Sequence, residues 1–409
     1  MRRILFVDDE PQLLSGLENA LRKQRKHWDM RFVSSGEAAL RELEQGVFDV
    51  IVSDMRMPGM DGPVLLAHVK KHYPRTARFV LSGQADRQAL FRSIPVTQQF
   101  LNKPCDSETL KGAIDRVCTL QDRVHDPEVQ SLVGGIESLP ASPNIYLELT
   151  GALERPQVGL GELAAIVEKD PALTAKVLQL ANSAFFGSGQ RTSSVKAAVT
   201  YLGAELLRVL VLVASVFMRT DKLSRSGGRL LADFQRHSIL LAQLMPKFVV
   251  DRKRAELAVV GALLHDVGLM VFATKAPNHA EAMVRRLDAS GQSMSDVERE
   301  LGSPTHSMVG ALLLGAWGLP FDLVEVAAYH HVPSEASSHT PADLLMAVHA
   351  AEILVHAIES GDADDPTQGI DMVFAERVGL LPKLAEWRSI TEVVLTQAQA
   401  EKTGAVERT

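Results

Sequence analysis

Asp8-Asp9, Asp54 in VIVSDMRMPGMDG, Ser82 in VLSG and Lys103 in FLNKP each end or follow a short apolar run. The runs are ILFV (4–7), FDVIVS (48–53), RFVL (78–81) and QQFL (98–101), with helical patterns between them. Strands alternating with helices imply a parallel α/β sheet, whose ligands gather at the carboxyl ends of the strands. The five residues therefore converge at one edge of one sheet. Three carboxylates held together repel one another unless a hard cation lies among them, and Mg²⁺ takes oxygen ligands and suits phosphoryl chemistry. A hydroxyl and an ammonium beside them complete a site able to accept a phosphoryl group.

The second half of the chain holds a different set of reactive side chains. Asp233 and His237 are four residues apart on one helix and share a face. His265-Asp266 falls in VVGALLHDVGLM, where an apolar helix meets a polar dyad; His306 follows Pro304 at a helix start, and His330-His331 ends AAYHH. Imidazoles and carboxylates from several helices are what a bundle uses to hold one or two transition metals, and the mixed set permits iron, manganese or zinc. Taken singly, each histidine reads as a hydrogen-bonded core residue. His27, His68, His72, His125, His279, His339 and His356 carry no functional expectation, and Phe185, Phe186 and the Leu-Val run at 206–213 read as core.

What must position these groups is a chain of 409 residues, long for one domain. Charged residues at 23% and apolar ones at 46% are ordinary globular values. No apolar run reaches the roughly 18 residues of a membrane span; LLRVLVLVASVF (206–217) reads as a buried helix. The start, MRRILFVDDE, turns acidic too early for a secretory signal. Two cysteines, Cys105 and Cys118, make no disulfide framework and fit a reducing cytosol, so a cytoplasmic protein is expected. A net charge of −7 argues against bulk attraction to nucleic acid or anionic lipid, and no helix-turn-helix or zinc-finger pattern is present. An amphipathic helix at about 107–120 carries Leu110, Ile114 and Val117 on one stripe. A polar stretch follows, which places a first domain at 1–122 and a linker at 123–130. Helix then follows helix over 131–397, with Asp170-Pro171 as one capped start, and 398–409 is expected to fray.

Residues 1–122 resemble a bacterial response-regulator receiver domain, a doubly wound five-stranded parallel sheet of flavodoxin-like order. The resemblance implies that Asp54 is the phosphoacceptor and that Asp8, Asp9, Asp54 and the backbone carbonyl of Arg56 bind Mg²⁺. It implies that Lys103 pairs with the phosphoryl oxygens, and that Pro104 makes its preceding peptide bond cis. Ser82 would hydrogen-bond the phosphoryl group, and Phe100 would turn inward behind it, a Phe where Tyr is common.

The pieces LP…SP, DPALTAKVLQLANSAFFG and TYLG resemble an HDOD domain, an all-helical output module often joined to receivers. The histidine order, about 230–360, is similar to the HD superfamily of metal-dependent phosphohydrolases. Against its HD-GYP branch, Asp233 with His237 match the first ligand pair, His265 with Asp266 the name-giving dyad, and His306, His330 and His331 the later histidines. The family's last aspartate falls in VHAAEIL, where this chain has Glu352. Leu269 stands where HD-GYP enzymes carry a lysine, and VPSEASSH replaces their GYP loop. The resemblance thus implies a ligand shell mostly kept with substrate-handling parts lost.

The expectation is a two-component response regulator, phosphorylated by a cognate histidine kinase and signalling through contacts of its HDOD domain with an unknown protein, with a homodimer allowed and no nucleic-acid or membrane partner. The competing expectation is a receiver-gated metal phosphodiesterase acting on a cyclic dinucleotide or another nucleotide.

Overall fold

The structure is a computed structural model that describes residues 1–82, 93, 96–124, 126–136, 139, 142–155, 157–182, 192–212, 223–290, 292–302, 304–336, 341–360 and 369–406. Strands β1 (Arg2–Val7), β2 (Trp28–Val33), β3 (Val50–Asp54), β4 (Ala77–Ser82) and β5 (Gln99–Asn102) form one parallel sheet in the order β2-β1-β3-β4-β5. The four apolar runs of the sequence are β1, β3, β4 and β5. The fifth strand, WDMRFV, lies at the sheet edge, where Asp29 and Arg31 interrupt the apolar pattern. In β1, Ile4 and Phe6 pack with residues of helices Pro11–Ala20 and Ser107–Arg123, whereas Leu5 and Val7 pack with those of Gly36–Gln45 and Gly62–His72. That alternation fits a sheet covered on both faces. Strand order reverses between β1 and β3, which opens a crevice at their carboxyl ends. Asp8, Asp9 and Asp54 sit there.

Among the described residues no strand follows Asn102. The expected linker at 123–130 is mostly helix: Ser107–Arg123 is followed by Pro127–Gly134, leaving three residues between. The reason is local. Asp126 accepts from the N–H groups of Glu128 and Val129, and Pro127 presets the first turn, the same Asp-Pro start that opens Pro171–Ala181. The last helix, Leu384–Val406, continues past 398, over Gln, Ala, Glu and Lys, which favour helix. Phe185 and Phe186 lie outside the described residues, as do 213–217; residues 206–212 end helix Val195–Leu212, and Leu207 is buried.

One described stretch, Arg252–Lys275, is long and apolar enough to cross a membrane by length and composition, with mean hydropathy 1.9. It is two helices, Arg252–Leu264 and Val267–Lys275, that break at His265-Asp266 and are largely buried inside the fold. Its apolarity is that of a core.

The sheet and the helices meet across a tight seam. A Cβ on Gly134 would stand 1.7 Å from the Pro74 carbonyl oxygen, and one on Gly315 would stand 2.0 Å from Leu120 Cδ1. The buried Arg78 guanidinium donates to the carbonyls of Val96, Thr76 and Gly134, the last at 2.7 Å. Gln99 Nε2 donates to Gly315 O at 2.9 Å.

Candidate functional sites

At the sheet edge, Lys103 Nζ lies 2.6 Å from Asp8 Oδ2 and 2.5 Å from Asp54 Oδ1, so one ammonium serves two carboxylates. Asp54 Oδ2 also accepts from the Arg56 N–H at 3.0 Å. Burial pushes the Asp54 carboxyl up, against the pull of Lys103, with the Asp8 charge adding to the rise. Burial alone would lower the Lys103 ammonium, but its bonds to Asp54 and Asp8 outweigh this and raise it. Asp8 is buried, and Asp9 follows it in the turn, partly exposed. The donor set of carboxylates and a carbonyl suits Mg²⁺. The Lys103-Pro104 bond is cis, and Phe100 is buried. Ser82 closes β4; its side chain lies outside the described residues.

In the helical domain two sets of four side chains converge and share Asp266. One is Asp266, His306, His330 and His331; the other is His237, His265, Asp266 and Glu352. His237 comes from the middle of helix Arg225–Phe248, His306 opens helix His306–Ala316, His330 closes Phe321–Tyr329, and Glu352 lies on Ala342–Ser360. Three imidazoles are anchored through Nδ1: His265 to Ala262 O at 2.7 Å, His306 to Glu298 Oε2 at 2.9 Å, and His330 to Ala327 O at 3.0 Å. Their Nε2 atoms therefore face inward. His306 Nε2 and His330 Nε2 come within 2.9 and 3.1 Å of Asp266 Oδ1, and His331 Nε2 within 3.1 Å of His306 Nε2. His265 Nε2 and Asp266 Oδ1 are buried without a hydrogen-bond partner of adequate geometry. Anchored Nδ1 atoms and unsatisfied inward Nε2 and carboxylate atoms are what metal-ligating histidines present.

Charge follows the same geometry. Burial alone would lower His265, but Asp266 and Glu352 outweigh it and carry it up to about 10. Glu298 and Asp266 likewise raise His306 against its burial. Burial holds His330 and His331 low. Burial would raise Asp266 and Glu352, yet the facing imidazoles hold both well below the usual carboxylate range.

Asp233, expected beside His237, lies outside both sets. Its exposed carboxylate turns to Arg229 Nε at 3.7 Å. Sharing a helix face was correct, but the short side chain sits one turn away from the cage. Glu352 occupies the inner position, 2.6 Å from His237 Nε2 and 3.2 Å from His265 Nε2. Two residues were not singled out from the sequence. Glu298, fully buried, accepts from both the N–H and Nδ1 of His306. His349, also buried, bonds His330 O through Nδ1 and accepts from the Asp371 N–H at Nε2, which leaves it no ligand atom.

A cavity of about 1230 Å³ opens in front of the cage and reaches Leu269, Met308 and Glu352. Its three arginines each already face a carboxylate: Arg229 Asp288, Arg236 Glu359, and Arg299 Asp296.

The fold and the edge site define a doubly wound α/β domain with an acidic strand-end site, joined to a helical module. Comparison with known families makes this specific. The response regulator receiver domain matches residues 4–115, and the HDOD domain matches residues 139–333. The chain is a response regulator composed of a receiver domain and an HDOD domain.

Among curated proteins, it is 34% identical over 116 residues to the transcriptional regulatory protein GlrR of Escherichia coli K12, covering 27% of this chain and 25% of that protein. It is 36% identical over 115 residues to the heme response regulator HssR of Staphylococcus aureus JH9, covering 27% and 48%. An uncharacterized Treponema pallidum protein is 25% identical over 228 residues, 52% of this chain and 41% of that one. The chain thus spans less than half the length of these curated relatives. Among solved structures, the MmoQ response regulator of Methylococcus capsulatus is 24% identical with a TM-score of 0.46, covering 61% of this chain and 98% of that one.

Proposed function

We propose that the protein accepts a phosphoryl group on Asp54 from the phosphohistidine of a cognate histidine kinase and passes the change to its HDOD domain, which acts by contacting a protein partner. The observation that carries this reading is the single Lys103 ammonium shared by Asp8 and Asp54 at the carboxyl ends of β1 and β3. An Asp54 oxygen bonds to phosphorus as the P–N bond breaks, and Lys103 is placed to pair with the phosphoryl oxygens. Mg²⁺, held by Asp8, Asp9, Asp54 and the Arg56 carbonyl, would offset the charge of the transferring group. Phe100 and Ser82 adjust behind it. The test is intact-mass measurement after acetyl phosphate and Mg²⁺. One phosphoryl group is expected on the wild type, none on Asp54→Asn and less on Asp9→Ala; equal labelling of Asp54→Asn would remove the assignment.

A second reading, favoured by the buried His265 Nε2 and Asp266 Oδ1, which face other ligand atoms without a well-formed hydrogen bond, is a metal centre of iron, manganese or zinc in the HDOD domain. Its ligands are His237, His265, Asp266, His306, His330, His331 and Glu352, with Asp266 common to both sets. A bound metal would act there as a Lewis acid and as a clamp on the six helices that carry these residues or end at them. The phosphodiesterase alternative is not favoured, because Leu269 is apolar and every cavity arginine is already paired. A phosphodiester would meet an acidic wall. Metal analysis of protein purified without chelator tests the centre, and His265→Ala with Asp266→Ala should remove it.

A further inference from the structure

One short helix runs from the histidine cage to the receiver. His306–Ala316 begins at the histidine cage: His306 Nε2 lies 2.9 Å from Asp266 Oδ1, and the helix start is pressed so closely on the next element that a Cβ at Gly268 would stand 2.0 Å from His306 O. Ten residues later, about 15 Å on, the same helix ends against the receiver. Gly315 O accepts from Gln99 Nε2, and the missing side chain of Gly315 makes room for Leu120. At Gly318, just beyond the helix with φ +72°, a Cβ would stand 3.1 Å from Gln99 Cδ.

Gln99 is the first residue of β5, and that strand has only four. Its second residue is Phe100. Its last is followed at once by Lys103, whose ammonium joins Asp8 and Asp54. A second tie, Gln179 Nε2 to Gln98 O at 3.4 Å, fixes the same end of β5 to helix Pro171–Ala181. A displacement of β5 that accompanies a new group at Asp54 therefore cannot leave Gly315 unaffected, since close-packed interiors transmit strain rather than absorb it. A displacement of His306 that accompanies metal capture acts on the other end of the same rigid element.

We propose that occupancy of the histidine cage and occupancy of Asp54 are thermodynamically linked through β5 and helix His306–Ala316, with Gln99 as the joint. The proposal rests on the metal and phosphoryl readings given above and adds their mutual regulation. Linkage is reciprocal: whatever factor phosphorylation applies to metal affinity, the metal applies to the affinity of a phosphoryl mimic.

The test uses the full chain at fixed Mg²⁺. Mn²⁺ binding to the cage is taken as the part that His265→Ala with Asp266→Ala abolishes, and its Kd is measured with and without beryllofluoride. Asp54→Asn serves as the control that does not take the mimic. The expected result is a change in Kd of about fivefold or more, falling below about twofold in Gln99→Ala. That variant should still load each site separately, because Gln99 belongs to neither. Hydrogen exchange across 306–316 should respond to beryllofluoride in the wild type and respond less in Gln99→Ala. If the cage binds Mn²⁺ with the same Kd in both states, linkage is overturned and the metal reading stands. If wild type and the double variant bind Mn²⁺ alike, the metal reading fails and takes the linkage with it. A full shift retained in Gln99→Ala would overturn the route.

Discussion

Glu298 holds His306 twice, accepting from its backbone N–H at 2.8 Å and from its ring Nδ1 at 2.9 Å. Both side chains are buried, so the carboxylate fixes the ring's orientation and leaves Nε2 toward Asp266. This is the carboxylate–histidine pairing that raises the basicity of a ligand and fixes its tautomer.

Glu298→Gln follows directly as a test of the cage. An amide has one acceptor oxygen, so either the backbone N–H or the ring Nδ1–H of His306 then faces an amide NH₂. The expected outcome is a loss of about 10- to 100-fold in metal affinity, with the helical signature of the protein kept. Competition against a chromogenic chelator reads it. Unchanged affinity would mean that His306 is not a ligand.

The contrast between Glu298 and the residues of the receiver shows where sequence reading reaches. Asp8, Asp54 and Lys103 were legible because the topology of a parallel sheet brings strand ends together whatever the helices do. The cage depends on how helices pack, which periodicity does not reveal. Hence Asp233 was paired correctly with His237 by helix face yet points to Arg229, while Glu352, from a helix over a hundred residues later, takes the inner place. Glu298 did leave a signal. Met294, Val297 and Leu301 form the inner stripe of helix Met294–Leu301, and Glu298, four residues after Met294, lies on that stripe. A carboxylate on an apolar stripe needs a buried partner. Asp126-Pro127 left one too, identical in kind to Asp170-Pro171, and it turns the expected linker into a helix.

Asp170 gives a prediction in pH. It is fully buried and accepts from Leu173 N at 2.9 Å, Ser142 N at 2.7 Å and Gln235 Nε2 at 3.3 Å, so it joins three segments of the HDOD domain. Burial pushes its carboxyl up to about 6, above its value of 3.8 in the open chain. A carboxyl raised by folding contributes stability that is fully present below about pH 4 and is lost as pH rises through about 6. The unfolding free energy of the wild type relative to Asp170→Asn should therefore fall between pH 4 and 6.5, by on the order of 3 kcal/mol at 1.36 kcal/mol per pKa unit. Urea titrations at matched pH measure it. A difference that stays flat across that window would show that Asp170 is not raised.

Gly134 tests the seam between the domains. A Cβ there would stand 1.7 Å from the Pro74 carbonyl oxygen, a backbone atom that cannot swing aside, while the Gly134 carbonyl accepts from the buried Arg78 guanidinium at 2.7 Å. Gly134→Ala must push the helical domain off the receiver or strain both, at about 1–3 kcal/mol. The control is Gly151→Ala, also within a helix, where a Cβ meets nothing within 4 Å and the change should stabilise by up to about 1 kcal/mol. Thermal unfolding and limited proteolysis around the connection at 124–126 distinguish the two. Gly134→Ala should split or lower the transition and expose that connection to cleavage. If both variants behave alike, the domains do not meet at Pro74 in solution, and the tie from Gln99 to Gly315 loses its rigid base.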